Sequence, residues 1–123
     1  MKVTITGGAG YIGSTLIPML LQKGHRVHVV DNLLFSGHTL LSHFINPNFS
    51  FANVDVRNKS ALAKEVQDAD VIIHLAALVG YPLCKKMPRE TQEVNVDGTL
   101  NLLNGVSKGT RLIYASTGSN YGE

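Results

Sequence analysis

Along this chain the apolar positions alternate between short unbroken runs and helical spacing. Val3-Thr4-Ile5-Thr6 is β-branched and stopped by Gly7, which predicts a buried strand. Residues 12–22 place Leu16, Met19 and Leu20 on one helical face, and Gly24 is positioned to end that helix. Pro18 removes a backbone donor inside it and predicts a kink. Residues 26–30 read as a second strand. Residues 33–48 are ambiguous: a loop, then a short helix through Leu40, Leu41 and Phe44, closed by Asn46-Pro47. Residues 49–54 alternate as a third strand. Residues 59–67 form a helix with Leu62 and Val66 four apart. Residues 70–78 are apolar almost throughout, as a strand covered on both faces requires. Residues 89–107 read as a longer helix interrupted by Gly98, and residues 111–115 as a fifth strand running into the polar turn Ser116-Thr117-Gly118-Ser119. Strand and helix therefore alternate at βαβ spacing, which predicts an α/β fold: a doubly wound parallel sheet of about five strands, with right-handed crossovers.

The length of 123 residues bounds the chain at one domain, residues 1–123. Eleven basic and nine acidic side chains give a net charge of +2, too balanced for a nucleic-acid surface. Cys84 is the sole cysteine, so neither an internal disulfide nor a cysteine zinc cluster is expected. No apolar run approaches the ~18 residues of a membrane span, and no signal-type stretch precedes the first glycines, so a cytoplasmic setting is expected.

The chemistry begins at Gly7, Gly10 and Gly13, a G-x-x-G-x-x-G run between the first strand and the first helix. That context is what a dinucleotide-binding fingerprint demands. Gly7 permits the tight turn, Gly10 lets backbone approach a pyrophosphate, and Gly13 lets helix pack closely on strand. Unpaired amides at the helix start would then face the anion. Asp31 closes the second strand 18 residues after Gly13. A carboxylate there accepts from adenosine ribose hydroxyls and repels a 2′-phosphate. No Lys or Arg lies between Asp31 and Arg57, so NAD is expected over NADP.

Further blocks follow in order: Asp31-Asn32-Leu33, Asp55-Val56, His74-Leu75-Ala76-Ala77, Asn95-Val96-Asp97-Gly98-Thr99 and Ser116-Thr117-Gly118-Ser119-Asn120-Tyr121-Gly122. Together with the glycine run they resemble the N-terminal half of the extended short-chain dehydrogenase/reductases, the NAD-dependent nucleotide-sugar epimerase/dehydratase group. The resemblance implies a Rossmann-type sheet in the order 3-2-1-4-5, incomplete at its C-terminal end, and NAD as cofactor. It implies that Tyr11 and Ile12 meet the pyrophosphate. Asp31, Asn32, Leu33 and Ser36 would line the adenosine ribose, and Asp55 and Val56 the adenine edge. Leu75, Ala76 and Ala77 would border the nicotinamide ribose, and Asn95 would brace the loop after the fourth strand. Thr117 matches the catalytic Ser/Thr that holds the substrate hydroxyl. The implied activity is epimerisation of a nucleotide-sugar, as in a UDP-glucose 4-epimerase, through transient hydride transfer to NAD. Dehydratase, reductase and a non-catalytic NAD-binding module are the alternatives. The family's Tyr-x-x-x-Lys pair belongs some tens of residues past Thr117. It is not in this sequence, and neither is the family's substrate region, so the chain as given is expected to bind NAD without turnover.

Tyr81-Pro82-Leu83-Cys84-Lys85 has Tyr-x-x-x-Lys spacing in the wrong place. Pro82 argues against a helix there, so Tyr81 is expected in a loop. The histidines, at 25, 28, 38, 43 and 74, show no metal-ligand spacing, and none of them is expected to hold a metal. His74, on an apolar strand, reads as a hydrogen-bonded core residue. Cys84 reads as an ordinary thiol. Lys85, Lys86 and Arg89 read as a solvated patch, with a diphosphate contact as the alternative. Val96, Leu100 and Leu103 form a second apolar stripe beside Val94, Leu102 and Val106. A well-covered core helix and a homodimer interface explain that stripe equally well, the second being implied by the family.

Overall fold

The computed structural model describes residues 1–117. Strands β1 (Lys2–Thr6), β2 (Arg26–Asp31), β3 (Phe49–Asn53), β4 (Val71–His74) and β5 (Arg111–Tyr114) form one parallel sheet in the order β3-β2-β1-β4-β5. The register sets Val3 between Val27 and Val71, and Ile5 between Val29 and Ile73. A central β1 flanked on both sides explains why its residues from Val3 to Thr6 are all buried.

Each face of the sheet has its own core. Val3, Ile5, Val27 and Val29 pack against α1 (Tyr11–Gln22), with Ile17 fully buried, and against Leu40 of a 3₁₀ segment (His38–His43). Val30 and Ile72 face α2 (Lys59–Val66) and α5 (Gly98–Gly105), where Leu62, Val66 and Leu102 are fully buried. Each such side chain contributes roughly 1.5–3 kcal/mol. Asn58 opens α2 by accepting from the Ala61 amide at 3.2 Å.

Helix α1 runs through Pro18 to Gln22 as expected, because the proline's fixed φ is itself helical and burial of Ile17 offsets the one lost hydrogen bond. Several other expectations change. Met19, expected on the core face, is exposed, and Ile17 is the anchor instead. Gly24 (φ +78°) does end the helix: its amide donates to Leu21 and that of His25 to Leu20, a Schellman closure. Strand β4 stops at His74 rather than at 78. The next amide, Leu75, still donates to Thr6, but β1 then turns away at Gly7 and no partner strand remains.

The region expected as one helix interrupted at Gly98 is helical without a break. Helix α4 (Pro88–Gln92) passes through a π-helical turn (Glu93–Asp97) into α5. Gly98 has ordinary helical angles, φ −59° and ψ −41°. Its role is close packing: a Cβ there would lie 2.6 Å from Val56 Cγ2. Residues 81–86, expected as a loop, form α3 (Tyr81–Lys86), because Pro82 sits at the helix start where no amide is needed. Val94 and Leu102 are buried, whereas Val96, Leu100 and Leu103 are 43%, 51% and 49% exposed. The second stripe is therefore uncovered in the single chain. Among the described residues no helix is long and apolar enough to cross a membrane.

Candidate functional site

A cleft of about 440 Å³ opens at the carboxyl ends of β1, β2 and β4, where the chain switches from one side of β1 to the other. Open parallel sheets bind ligands at such a switch point. Gly7 (φ +71°) makes the turn out of β1, and a Cβ on it would lie 2.5 Å from the Ala76 amide nitrogen. Only glycine brings the loop so close to the cleft floor. A Cβ on Gly13 would lie 2.0 Å from the Gly8 carbonyl oxygen, so helix and loop backbones touch directly.

Gly10 is the N-cap of α1 and supplies no side-chain acceptor. The amides of Tyr11, Ile12 and Gly13 precede the first helical bond, from Ser14 to the Gly10 carbonyl (3.0 Å). They form the electropositive end of a 12-residue helix with no acidic residue in its first turn. Gly10, Tyr11 and Ile12 all line the cleft.

Asp31 stands beside this loop. One oxygen accepts from the Ala9 amide (3.0 Å), the other from the Leu33 amide (2.8 Å). The second bond holds Leu33 at φ +58°, a strained angle for a branched side chain. A carboxylate has about four acceptor positions, so Asp31 keeps two for a ligand. Asp55 differs. One oxygen accepts from the Arg57 amide and Nε, both at 2.9 Å. The other accepts from Arg57 Nη2 (2.7 Å) and Asn32 Nδ2 (2.9 Å). Every acceptor position is filled, and the Arg57 guanidinium holds the Asp55 carboxyl well below the usual carboxylate range. Arg57 also reaches Glu93 in the π-turn, at 3.4 Å.

The cleft floor is Leu75, Ala76 and Ala77, small enough at its centre for a flat ring to approach. Asn95 clasps the segment beyond: its Nδ2 donates to the Leu78 carbonyl (2.9 Å) and its Oδ1 accepts from the Leu78 amide (2.8 Å). The π-turn aims Asn95 there. Beneath the floor, His74 is buried between Thr6 and Thr99, at 2.5 and 3.0 Å. Thr99 gives its one hydroxyl proton to the Asn95 carbonyl (2.8 Å), so it accepts from His74 Nε2–H, and Thr6 donates to the bare Nδ1. Burial lowers the His74 pKa to about 4 and keeps the ring neutral.

The model of the NAD dependent epimerase/dehydratase family matches residues 3–123. The chain belongs to that family. It is similar to a UDP-N-acetyl-alpha-D-glucosaminuronate decarboxylase of Bacillus cytotoxicus, 37% identical over 99% of this chain and 38% of the relative. UDP-glucuronic acid decarboxylase 4 of Arabidopsis thaliana is 39% identical over the whole chain and 27% of its own length. Among solved structures, a UDP-glucose-4-epimerase of Stenotrophomonas maltophila, with bound NAD and formylated UDP-arabinopyranose, superposes with a TM-score of 0.87 at 31% identity, over 99% of this chain and 38% of that one. The chain thus spans well under half the length of these relatives.

Within this epimerase/dehydratase chain, Gly7, Gly10, Tyr11, Ile12, Asp31, Asn32, Ser36, Asp55, Val56, Leu75, Ala76 and Ala77 all line the one cleft. Gly13, Leu33 and Asn95 stand behind its wall and shape it. Thr117 follows β5, is exposed, and is not part of the lining. Gly118 onward lies outside the described residues. Tyr81 and Lys85 share a face of α3, with Lys85 Nζ 5.7 Å from the Tyr81 ring centre, yet neither reaches the cleft. Lys85, Lys86 and Arg89 are exposed, Arg89 pairing with Glu93. Sequence reasoning missed Leu34, Phe35, Val54, Arg57, Met87 and Glu90 in the lining. The signal for two of them was present: Leu34-Phe35 is an apolar pair directly after the ribose-side acid, and Phe35 is 71% exposed. Among the described residues no group of three or more His, Cys, Asp or Glu side chains is placed to hold a metal.

Proposed function

We propose that residues 1–123 are the NAD-binding domain of a nucleotide-sugar epimerase, of the UDP-glucose 4-epimerase type, acting through transient hydride transfer. The observation that carries this reading is the pairing, in one cleft, of the uncapped α1 terminus with an Asp31 carboxylate that keeps two acceptor positions. The amides of Tyr11 and Ile12 hold the pyrophosphate, and Asp31 accepts from the ribose hydroxyls. Ser36 and Leu33 close the ribose edge. Because Asp55 is saturated by Arg57 and Asn32, it fixes the adenine wall while Val54 and Val56 supply contact. Ala76 and Ala77 admit the nicotinamide, whose role is to accept and return a hydride. Thr117 holds the substrate hydroxyl. The residues that read the sugar fall in the part of the relatives beyond the matched stretch.

Arg57, the nearest cation, is committed to Asp55 and Glu93, which supports NAD over NADP. The uncovered stripe of Val96, Leu100 and Leu103 supports a homodimer through the helical region around Val94 to Val106. Calorimetric titration tests the reading. NAD binds with micromolar affinity and NADP more weakly. Absence of binding by either, or preference for NADP, overturns it.

A further inference from the structure

At the opposite end of the sheet lies a second cleft of about 220 Å³, lined by the amino ends of β1, β2 and β3. His28 and Ser50 line it, and Glu65 joins them from outside its lining in a hydrogen-bonded chain of three side chains. His28 and Ser50 are register partners on adjacent strands, and His28 Nδ1 lies 2.8 Å from Ser50 Oγ. His28 Nε2 lies 2.8 Å from Glu65 Oε2, carried by α2 over the same face. The His28 side chain is 11% exposed and Ser50 is open to solvent.

Proton placement follows from the partners. An ionised Glu65 only accepts, so Nε2 of a neutral His28 carries the hydrogen. In the neutral ring Nδ1 is then bare and accepts the Ser50 hydroxyl proton. Ser50 lines the cleft together with Arg26, Lys2 and Phe49. Lys2 is paired with Asp68, whereas Arg26 has no ion-pair partner among the described residues. A serine, a base and an acid that orients the base are the parts of an activated nucleophile.

We propose that Ser50, His28 and Glu65 form a second site, an activated serine that takes the acyl group of a small ester. Ser50 Oγ bonds to the ester carbonyl carbon while its proton passes to His28 Nδ1. Arg26, which lines the same cleft, would supply the positive charge for the developing oxyanion. The carbon–alkoxide bond breaks, the alcohol leaves with the His28 proton, and water, deprotonated by His28, releases the acid and restores Ser50. The reaction is a hydrolysis with no net redox change.

The test treats the 123-residue chain with an alkyl fluorophosphonate, followed by peptide mapping, and separately follows p-nitrophenyl acetate hydrolysis. One adduct is expected, on Ser50, present in the folded protein and lost in urea. Hydrolysis is expected to fall about 100-fold in Ser50→Ala and about 10-fold in Glu65→Gln. Circular dichroism and an unchanged NAD titration in Ser50→Ala report an intact fold at the far end of the sheet. An unlabelled Ser50, labelling that persists in urea, or a wild-type rate in folded Ser50→Ala overturns the proposal. If Glu65→Gln does not fold, the wild-type adduct map decides alone.

Discussion

Two carboxylates line the same cleft and sit in opposite conditions. Asp31 spends one acceptor position of each oxygen on the backbone, at Ala9 and Leu33, and keeps the others. Asp55 spends all of its positions on Arg57 and Asn32. Both residues look alike in the sequence, each an aspartate at or just past the end of a strand. The difference separates a group equipped to meet a ligand from one that sets a wall. It also locates strain: Leu33 is held in the left-handed region beside Asp31.

The comparison presupposes that a ligand enters at the α1 terminus, and Gly10→Val tests that first. A Cβ on Gly10 meets only the Gly7 carbonyl oxygen, at 3.2 Å, so the fold accommodates the change with a small shift. The branched side chain then occupies the approach to the Tyr11 and Ile12 amides. NAD affinity is expected to fall more than about 100-fold, with a folded circular dichroism spectrum, because charge-assisted bonds and close backbone approach are lost together. Unchanged calorimetric affinity would place the pyrophosphate elsewhere and leave both carboxylates without a ligand to compare.

Much of this was legible in the residues. The period changes place all five strands, the family resemblance supplies their order, and the glycine run with Asp31 marks the cleft. What was not legible depends on three-dimensional partners. Met19 reads as a core position, yet Ile17 is the buried anchor of α1. Pro82 reads as evidence against a helix, yet it opens α3. The π-turn at residues 93–97 has no signature in apolar spacing, because its outcome is the aim of Asn95 at Leu78 and of Glu93 at Arg57. The saturation of Asp55 depends on a side chain two residues on folding back, which no pattern of apolar positions reports. His74 was legible as a hydrogen-bonded core residue, but not its threonine partners on β1 and α5.

Acid separates the buried imidazole from the rim carboxylate. The unfolded chain protonates His74 near its ordinary value of 6.5, whereas the folded chain resists until about 4. The stability this supplies is complete above the unfolded value and is lost as pH falls from about 6.5 toward 4, by on the order of 3 kcal/mol. Asp55, whose folded value is depressed, holds its contribution until pH drops below its ordinary 3.8. Urea unfolding followed from pH 7 to 3.5 should show the first loss in the wild type and not in a folded His74→Gln. An acid limb of equal size in both proteins would assign it to other groups.

Asp31→Ala removes both the proposed ribose acceptor and the anchor of Ala9 and Leu33. NAD affinity should fall roughly 10- to 100-fold, the range for hydrogen bonds to a charged group. NADP should fall less, because the repulsion of its 2′-phosphate goes too, so the ratio between the cofactors narrows. Parallel titrations of NAD and NADP measure this. Equal loss for both would reduce Asp31 to a scaffold for the loop.

Asp55→Asn gives the smallest effect and the sharpest contrast. The amide keeps one acceptor oxygen for Asn32 or Arg57 and gives up the paired guanidinium contact. That contact is partly exposed, so stability should change by no more than about 1 kcal/mol. NAD affinity should change less than about threefold, because a saturated carboxylate has no position left for the adenine amine. NADP should gain relative to NAD, since Arg57 is released to meet a phosphate. Calorimetry on the folded variant, beside its urea midpoint, reads both quantities. A tenfold loss of NAD affinity at unchanged stability would show Asp55 trading a protein partner for the cofactor, and the two carboxylates would then be doing the same work.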